Sequence, residues 1–489
     1  MELSKLINSI KAIQVTGVVE RKDVESIVCD SKKVKRNSMF VAVTGFNADG
    51  HKYIMDAVNA GASVIVLEKD DVVADDFFIH NNVTKILVKN SREALSRAAN
   101  AFYHEPSKKL ALLGITGTKG KTTTSYYVKN ILQTAGYKTG LIGTIANYIG
   151  DIELKTTLTT PESNELHRLM AEMLNEGCTH CVMEVSSHSL ALNRVNDLSF
   201  KGAVFTNLTS DHLDFHKTRE EYLAAKKILF DILDGQAVAL YNFDDENGKK
   251  IVSGSKAKSF SYGEKQGADF LLSDVEYNLD GTRFSVQYDG VKYSLTTTLV
   301  GEFNAYNAAA AFAICVLTGI KPEVAIEGIR TTPQVPGRFE AVALGKKKVI
   351  VDYSHTADSL EKALQALHKI TGGKRKIYTV FGCGGNRDKT KRPIMGEIAS
   401  RYSDKAIVTS DNPRFEEPME IIKDITAGIK KNNYEVIESR EEAIKKAVQD
   451  SEEDAVILIA GKGHETYQEI KGVRSHFSDK ELAEKYLSK

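Results

Sequence analysis

The run GITGTKGKTTT, Gly114 to Thr124, leaves the backbone few choices, because an apolar stretch from Leu110 to Ile115 passes through glycines into a helical segment that begins near Lys121. A strand, a tight glycine-rich turn and a helix in that order build a mainly parallel α/β sheet, with the turn at the carboxyl end of its strand. Glycines let backbone N–H groups approach an anion, and the helix start adds the positive end of its dipole. Lys121 can then reach the outer phosphates of a nucleoside triphosphate, while Thr122 can offer its hydroxyl to magnesium. Counted back from Gly120-Lys121-Thr122, an ordinary phosphate loop has its first glycine at position 115, where this chain has Ile115; Gly114 stands one place early. A turn rich in glycine and threonine that binds nothing is the alternative, and the ordered coincidence of strand, glycines, lysine and threonine speaks against it.

A chain of 489 residues outgrows a single core, and three rhythms divide this one. Residues 1–107 alternate short strands (SIVCD, MFVAVTG, ASVIVLE, KILVK) with helical stretches at His51 to Ala60 and Arg92 to Tyr103, which predicts a small α/β domain closing at Pro106-Ser107-Lys108-Lys109. Residues 108–333 open with the phosphate loop and carry THCVMEV and GAVFTNL as strands of a mainly parallel, P-loop ATPase-like sheet. Between Asp269 and Val300 the pattern changes to period-two alternation with turns at Asp280-Gly281 and Asp289-Gly290, which predicts an inserted antiparallel meander. Residues 334–489 run through VIVDY, KIYTVF, AIVTS and AVILIA with helices between them, the pattern of a doubly wound, Rossmann-like domain.

The 65 basic and 65 acidic residues cancel, so no global field draws in nucleic acid or an anionic membrane, and any anionic substrate must be held by local groups. Five cysteines make no disulfide framework, MELSKLINSI lacks a signal-peptide core, and no apolar run is long enough to span a bilayer; a cytoplasmic protein without membrane insertion is expected. Cys178 and Cys181 form a CxxC without a second pair to complete a zinc site, so they are expected to be buried strand residues.

In doubly wound sheets ligands bind beyond the carboxyl ends of the strands, and the loops there are rich in chemistry. They include Glu184 to His188, TSDHLDFH at 209–216, and in the third segment GCGGNRDKTKRP, SDNPR and GKGHE. Glu184 and His212 could join Thr122 around magnesium. Taken singly, Glu184 reads also as a solvated or capping group, Asp211-His212 as a helix cap, and Lys226-Lys227 as a solvated pair on an amphipathic helix from Tyr222 to Phe230.

GITGTKGKTTT, MEVSSH, NLTSDHLDFH, YLAAKKILF, GEFNAYNAAAA, PGRFE, DYSHTADSLE, DNPR and GKGHE, in that order, resemble the motif set of the Mur ligases. The resemblance covers nearly the whole chain, with CDSKKV and VTGFNADG similar to the family's nucleotide-sugar loops, and the family's phosphate loop shares the displaced glycine. It implies an ATP-dependent ligase of peptidoglycan synthesis that activates the side-chain carboxylate of D-glutamate in UDP-MurNAc-L-Ala-D-Glu as an acyl phosphate. The amine of a diamino acid would then displace phosphate.

By motif match, Lys121, Glu184, His212 and Lys226 would be catalytic, with two magnesium ions held by Thr122 and Glu184 and by His212 and Lys226. The family's matching lysine is carbamylated by CO2, which would turn Lys226 into an anion suited to a hard cation. ATP would be held by Gly117, Thr118, Lys119, Gly120, Lys121, Thr122 and Thr123, and by Asn304, Arg338, Asp352 and His355, whose alternative is local capping and strand-end hydrogen bonding. Ser31 with Phe46, Asn47 and Ala48 would hold the uridine diphosphate, and Thr159, Thr160, Ser186 and Arg194 the muramoyl dipeptide. Arg387, Asp411, Asn412, Pro413, Arg414, Gly461 and Glu465 match the pattern for meso-diaminopimelate, whose distal carboxylate Arg414 can clamp; L-lysine, with an ammonium there, is the alternative substrate. Leu192, Ser354 and Ala357 depart from the family's usual glutamine, alanine and proline. A folate polyglutamate ligase, another Mur ligase and a non-catalytic ATP-binding regulator are the competing functions, and a monomer is expected.

Overall fold

The computed structural model describes residues 1–45, 48–209, 213–344 and 346–488. It divides into two compact units, Met1–Leu271 with Ala310–Gly328, and Leu272–Ala309 with Ile329–Lys489.

The first unit holds two α/β layers. In the five-stranded sheet the order is Gln14–Thr16, Thr84–Leu87, Ala62–Leu67, Ser38–Val41, Ser26–Val28, parallel except for the first pair. Apolar clusters cover it from both sides, one built on Leu3, Leu6 and Ile10, the other on Phe40, Ile54 and Ala57. The expected helix from His51 to Ala60 is a 3-10 turn, Gly50–Tyr53, running into a short helix, Ile54–Asn59, because the Asp49 side chain accepts the His51 N–H and tightens the entry. The helix Ser91–Phe102 matches expectation and is capped by Asn90.

At the centre of the larger sheet, Ala111–Thr116 lies between His180–Glu184 and Gly202–Phe205, all parallel. Their near-continuous apolar sequences suit strands covered on both faces, and Cys178 and Cys181 are buried as expected. The register sets Glu184 opposite Ile115 and Phe205 opposite Thr116, so the three strands end level and their loops leave at one rim. Two helices serve that rim, Lys121–Thr134 after the glycine turn and Arg219–Asp231, whose first turn is capped by Thr218.

The second unit contains the predicted alternating hairpin, Gly281–Tyr288 against Val291–Thr297, and a six-stranded sheet. In that sheet Lys347–Asp352, Val456–Ala460, Ile377–Phe381, Lys405–Val408 and Tyr434–Val436 are parallel in that order. Its antiparallel edge, Glu340–Leu344, and the outlying hairpin Tyr467–Ile470 with Val473–His476 were not expected from sequence, since both are short and poor in apolar alternation. Below the sheet, Arg440 and Asp479 form a two-pronged ion pair at 2.8 and 2.7 Å with both side chains fully buried, and the same guanidinium donates to Ala460 O at 3.0 Å. No helix of the described residues is long and apolar enough to cross a membrane.

Candidate active site

The glycine turn is built as the sequence requires. Gly117 and Gly120 have φ of +150° and +87°, and a Cβ on Gly117 would sit 1.9 Å from Thr206 Oγ1. The loop is tied to the neighbouring strand end: Thr118 N donates to Asn207 O at 2.8 Å, Lys119 N to Asn207 Oδ1 at 3.0 Å, and Thr206 Oγ1 to Lys119 O at 2.6 Å. The Lys121 ammonium folds onto the carbonyls of Gly117 and Thr118 at 2.9 and 3.0 Å. Thr122 and Thr123 are buried in the first helical turn. Backbone donors, a helix start and a nearby cation give the loop the character of an anion cradle.

Glu184 closes the next strand and is wholly buried. Its Oε2 accepts from Thr122 Oγ1 and Thr144 Oγ1, each at 2.9 Å, and its Oε1 from Thr144 N at 2.8 Å. The solvated alternative for this residue is therefore excluded: the carboxylate is drawn against the phosphate loop. Thr144 was not singled out from sequence, although its position just beyond Thr139–Ile142, at the end of a parallel strand, is where such a residue would be sought. Thr159 Oγ1 lies 3.1 Å from Thr144 Oγ1, and Thr160 Oγ1 donates to Glu184 O at 2.8 Å and accepts from Ser186 N at 3.0 Å. Among the described residues no group of three or more His, Cys, Asp or Glu side chains converges as a metal cage.

Lys226 is 1% exposed and donates to Gly117 O at 2.8 Å, so the solvated reading is corrected for this lysine. Packing of Tyr222 explains the change: its ring lies 4.4 Å from the ammonium, and its hydroxyl 3.2 Å from Thr118 Oγ1. Lys227, by contrast, points outward and pairs with Asp231. His212 lies outside the described residues, as do Phe46 and Asn47. Close by, His216 Nε2 meets Ser187 Oγ at 2.8 Å.

Ser31 opens a short 3-10 turn capped by Asp30, and Ala48 O accepts the Gly45 N–H at 2.8 Å. Arg194 binds Glu162 Oε1 at 2.7 Å and Thr160 O at 3.0 Å, and its Nε is buried without a partner. Glu162 also takes Arg92 from the first segment, at 3.2 Å. Cys29 beside it has its thiol pushed up to about 12 by burial. The departure at Leu192 falls at the end of the short helix Ser187–Ala191.

Asn304, Arg338, Asp352 and His355 belong to the second unit. Asn304 donates to Val300 O at 3.0 Å, a local contact of the capping kind. Asp352 accepts Phe339 N at 2.7 Å and the Ser354 hydroxyl, and burial raises its carboxyl above the usual range. The guanidinium of Arg338 stacks on Tyr353, 4.9 Å from the ring centre, and His355 lies 4.6 Å from the same ring. His464 lies across that ring as well, and its imidazole is held down at about 3 by burial, with Arg338 adding to the effect. Ala357 does not disturb its helix, which starts there behind a capping box of Thr356 and Ser359.

Three loops leave the carboxyl ends of adjacent strands in the same sheet. The first, Gly382 to Arg387, carries an exposed Arg387; the second is Asp411-Asn412-Pro413-Arg414, and the third runs from Gly461 to Glu465. They fit tightly: a Cβ on Gly461 would lie 2.7 Å from Asp411 Oδ2, and one on Gly385 1.9 Å from Pro413 O. Arg414 is more than a surface turn residue. It is half-buried at φ +52° and donates to Gly385 O at 2.8 Å. Asn412 Nδ2 donates to Glu465 Oε2 at 2.8 Å. Arg392, buried and unforeseen from sequence, binds Glu416 through both prongs at 3.0 Å and donates to Gly384 O at 3.4 Å, and so ties the first loop to the segment that follows the second.

Comparison with known proteins returns Mur ligases by sequence, while the likeness of fold alone extends to folylpolyglutamate synthases. Family models match three parts of the chain: the Mur ligase family catalytic domain at residues 23–103, the Mur ligase middle domain at 115–315, and the Mur ligase glutamate ligase domain at 337–463. The UDP-N-acetylmuramoyl-L-alanyl-D-glutamate–2,6-diaminopimelate ligase of Clostridium tetani (strain Massachusetts / E88) is 44% identical over 490 residues, covering 100% of this chain and 99% of the relative. A solved structure of a ligase of the same description superposes with a TM-score of 0.70 at 28% identity, over 99% of this chain and 98% of its own. The Thermotoga maritima MurF ligase, solved with ADP, shares the fold at a TM-score of 0.63 and 22% identity, over 94% and 96% of the two chains.

Proposed function

The chain belongs to the Mur ligase family, and from that premise we propose that it is the ATP-dependent ligase that joins meso-diaminopimelate to the D-glutamate side-chain carboxylate of UDP-MurNAc-L-Ala-D-Glu. Full-length identity of 44% to a relative so described supports the substrate pair. The observation that carries the site reading is the buried Glu184 carboxylate bound to Thr122 at the first turn of the phosphate-loop helix.

In the first step a carboxylate oxygen attacks the terminal phosphorus of ATP and ADP leaves, giving an acyl phosphate. In the second the free amine of diaminopimelate attacks the acyl carbon, phosphate departs with the bonding pair, and the nitrogen loses a proton. Positioning and charge neutralisation dominate such transfers. Loop N–H groups from Gly117 to Thr123 hold the phosphates, and Lys121 exchanges its two carbonyl contacts for phosphate oxygens. Thr122, Glu184, His212 and, once carbamylated, Lys226 would hold magnesium, which would supply neutralisation of the developing phosphate charge. A few protein ligands suit magnesium, which keeps waters and phosphate oxygens in its shell. Lys226 is the carbamylation site: its neutral amine attacks CO2 and loses a proton, leaving an anion in place of a buried cation.

Asn304, Arg338, Asp352 and His355 hold the nucleoside end of ATP, Ser31 with the loop at Phe46, Asn47 and Ala48 the uridine diphosphate, and Thr159, Thr160, Ser186 and Arg194 the muramoyl dipeptide. Arg387, Asp411, Asn412, Pro413, Arg414, Gly461 and Glu465 hold diaminopimelate. These assignments define domains at 1–107, 108–333 and 334–489, in a cytoplasmic monomer.

The deciding experiment is phosphate release from ATP and magnesium with UDP-MurNAc-L-Ala-D-Glu, comparing meso-diaminopimelate with L-lysine. Release with diaminopimelate alone is expected. Release with lysine alone overturns the role of Arg414, and release with neither overturns the substrate assignment.

A further inference from the structure

The ammonium of Lys462 takes no part in the chemistry above, yet its side chain is 0% exposed. Lysine ordinarily keeps its charged head in water, and a buried charge persists only where it is paired and hydrogen-bonded. Nζ of Lys462 donates to Asn412 Oδ1 at 3.0 Å and to Glu465 Oε2 at 3.2 Å. The rings of Tyr467 and Phe477 flank it at 5.4 and 6.0 Å.

These contacts settle the state of two neighbours. Asn412 Oδ1 accepts a second bond from Glu469 N at 3.0 Å, so two donors converge on it and the amide cannot reverse without setting its NH2 against both. The Asn412 NH2 is thereby turned to Glu465, meeting Oε2 at 2.8 Å. Both of these bonds to Glu465 fall on Oε2, leaving Oε1 as the oxygen to receive another donor, and the side chain is 17% exposed and so reachable from solvent.

We propose that Lys462 is a positioning residue for the incoming diamino acid: it locks the Asn412 amide and the Glu465 carboxylate into one arrangement that presents Oε1 to a substrate ammonium. The inference rests on the reading of Glu465 as part of the diamino-acid site. Without the Lys462 charge, Asn412 loses one of the two donors fixing its amide, and Glu465 loses a charge-assisted bond on the face away from the substrate.

The test is steady-state kinetics on the full-length enzyme with Lys462→Met, whose apolar chain of similar length fits between the two rings. KM for diaminopimelate is expected to rise about tenfold or more, while KM for ATP and for UDP-MurNAc-L-Ala-D-Glu stays within about twofold and kcat at saturating diaminopimelate within about threefold. In an Asn412→Ala background the same substitution is expected to add less than about threefold, because the two residues act as one unit. Lys462→Gln, which stays polar and keeps a donor, folds in the same slot and is expected to give an intermediate KM. The inference is overturned by an unchanged KM for diaminopimelate in both Lys462 variants, by parallel loss of all kinetic constants, or by full additivity with Asn412→Ala. Glu465→Ala separates the two ideas. If KM for diaminopimelate is unchanged in it, the site reading falls; if KM rises there while Lys462→Met is silent, only the positioning role falls.

Discussion

Replacing Gly117 by alanine strikes the phosphate loop where it has least room. The residue sits at φ +150°, and the added Cβ would lie 1.9 Å from Thr206 Oγ1 and 3.1 Å from Asn207 N. Thr206 cannot turn aside freely, because its hydroxyl donates to Lys119 O at 2.6 Å and lies 3.3 Å from Thr116 O. Strain at this φ costs roughly 1–2 kcal/mol and overpacking against the Thr206 hydroxyl about 1 kcal/mol. Relaxation of the loop would relieve both, but it would carry off the Gly117 carbonyl that Lys121 and Lys226 share at 2.9 and 2.8 Å. A total of about 2–3 kcal/mol falling on nucleotide binding raises KM for ATP roughly 30- to 150-fold. Phosphate release against ATP concentration, with the other substrates saturating, measures it. The double variant Gly117→Ala, Thr206→Ala removes the clashing oxygen and should recover about five- to tenfold of the loss. A single variant with KM for ATP within about twofold of wild type, or a double variant with no recovery, would refute the steric reasoning.

Lys226→Ala should lose at least about 100-fold in kcat, near 2.7 kcal/mol, and recover part of it with short-chain carboxylates; a variant of full activity, indifferent to them, contradicts the carbamate role. Arg414→Ala should raise KM for diaminopimelate at least about tenfold with KM for ATP unmoved, and an unchanged KM for diaminopimelate removes the clamp. His167 is fully buried with both ring nitrogens unpartnered, and burial holds it at about 3 against an ordinary 6.5. Its folded value lies below its unfolded one, so the unfolded chain binds the extra proton as pH falls through 6.5, and stability is lost toward acid. Linkage gives about 1.4 kcal/mol between pH 7.5 and pH 5.5. His167→Leu should raise the denaturation midpoint and flatten this acid loss, whereas an unaltered pH slope would show that His167 does not cause it.

The parts of the site that declare themselves in sequence are those where backbone geometry forces residue type. Gly117 and Gly120 need positive φ, and the apolar strands before them need burial on both faces, so loop, helix and sheet all follow from a short stretch of chain. Lys226 shows the limit. Its local pattern is that of any amphipathic helix beside Lys227, and only the packing of Tyr222 and Gly117 distinguishes the buried lysine from the exposed one. Thr144, Arg392 and Lys462 were missed for a related reason, since each acts through a partner 24 to 50 residues away and no periodicity links them. The edge strand Glu340–Leu344 escaped because it is only five residues long and apolar throughout after Glu340, with no period-two alternation to mark it.

The Arg440–Asp479 pair has a bearing on how this sequence can drift. Loss of either partner alone strands a buried charge and costs about 3–5 kcal/mol, whereas replacing both by apolar residues of matching volume is often neutral. Every single-step route away from the pair therefore passes through a destabilised ancestor, while the destination itself is open. Because the same guanidinium holds Ala460 O, one residue before the loop that begins at Gly461, such an intermediate would also disturb the platform from which that loop departs. Lineages should accordingly show these two positions changing together or not at all, the C-terminal helix recording the history of a helix start 39 residues upstream.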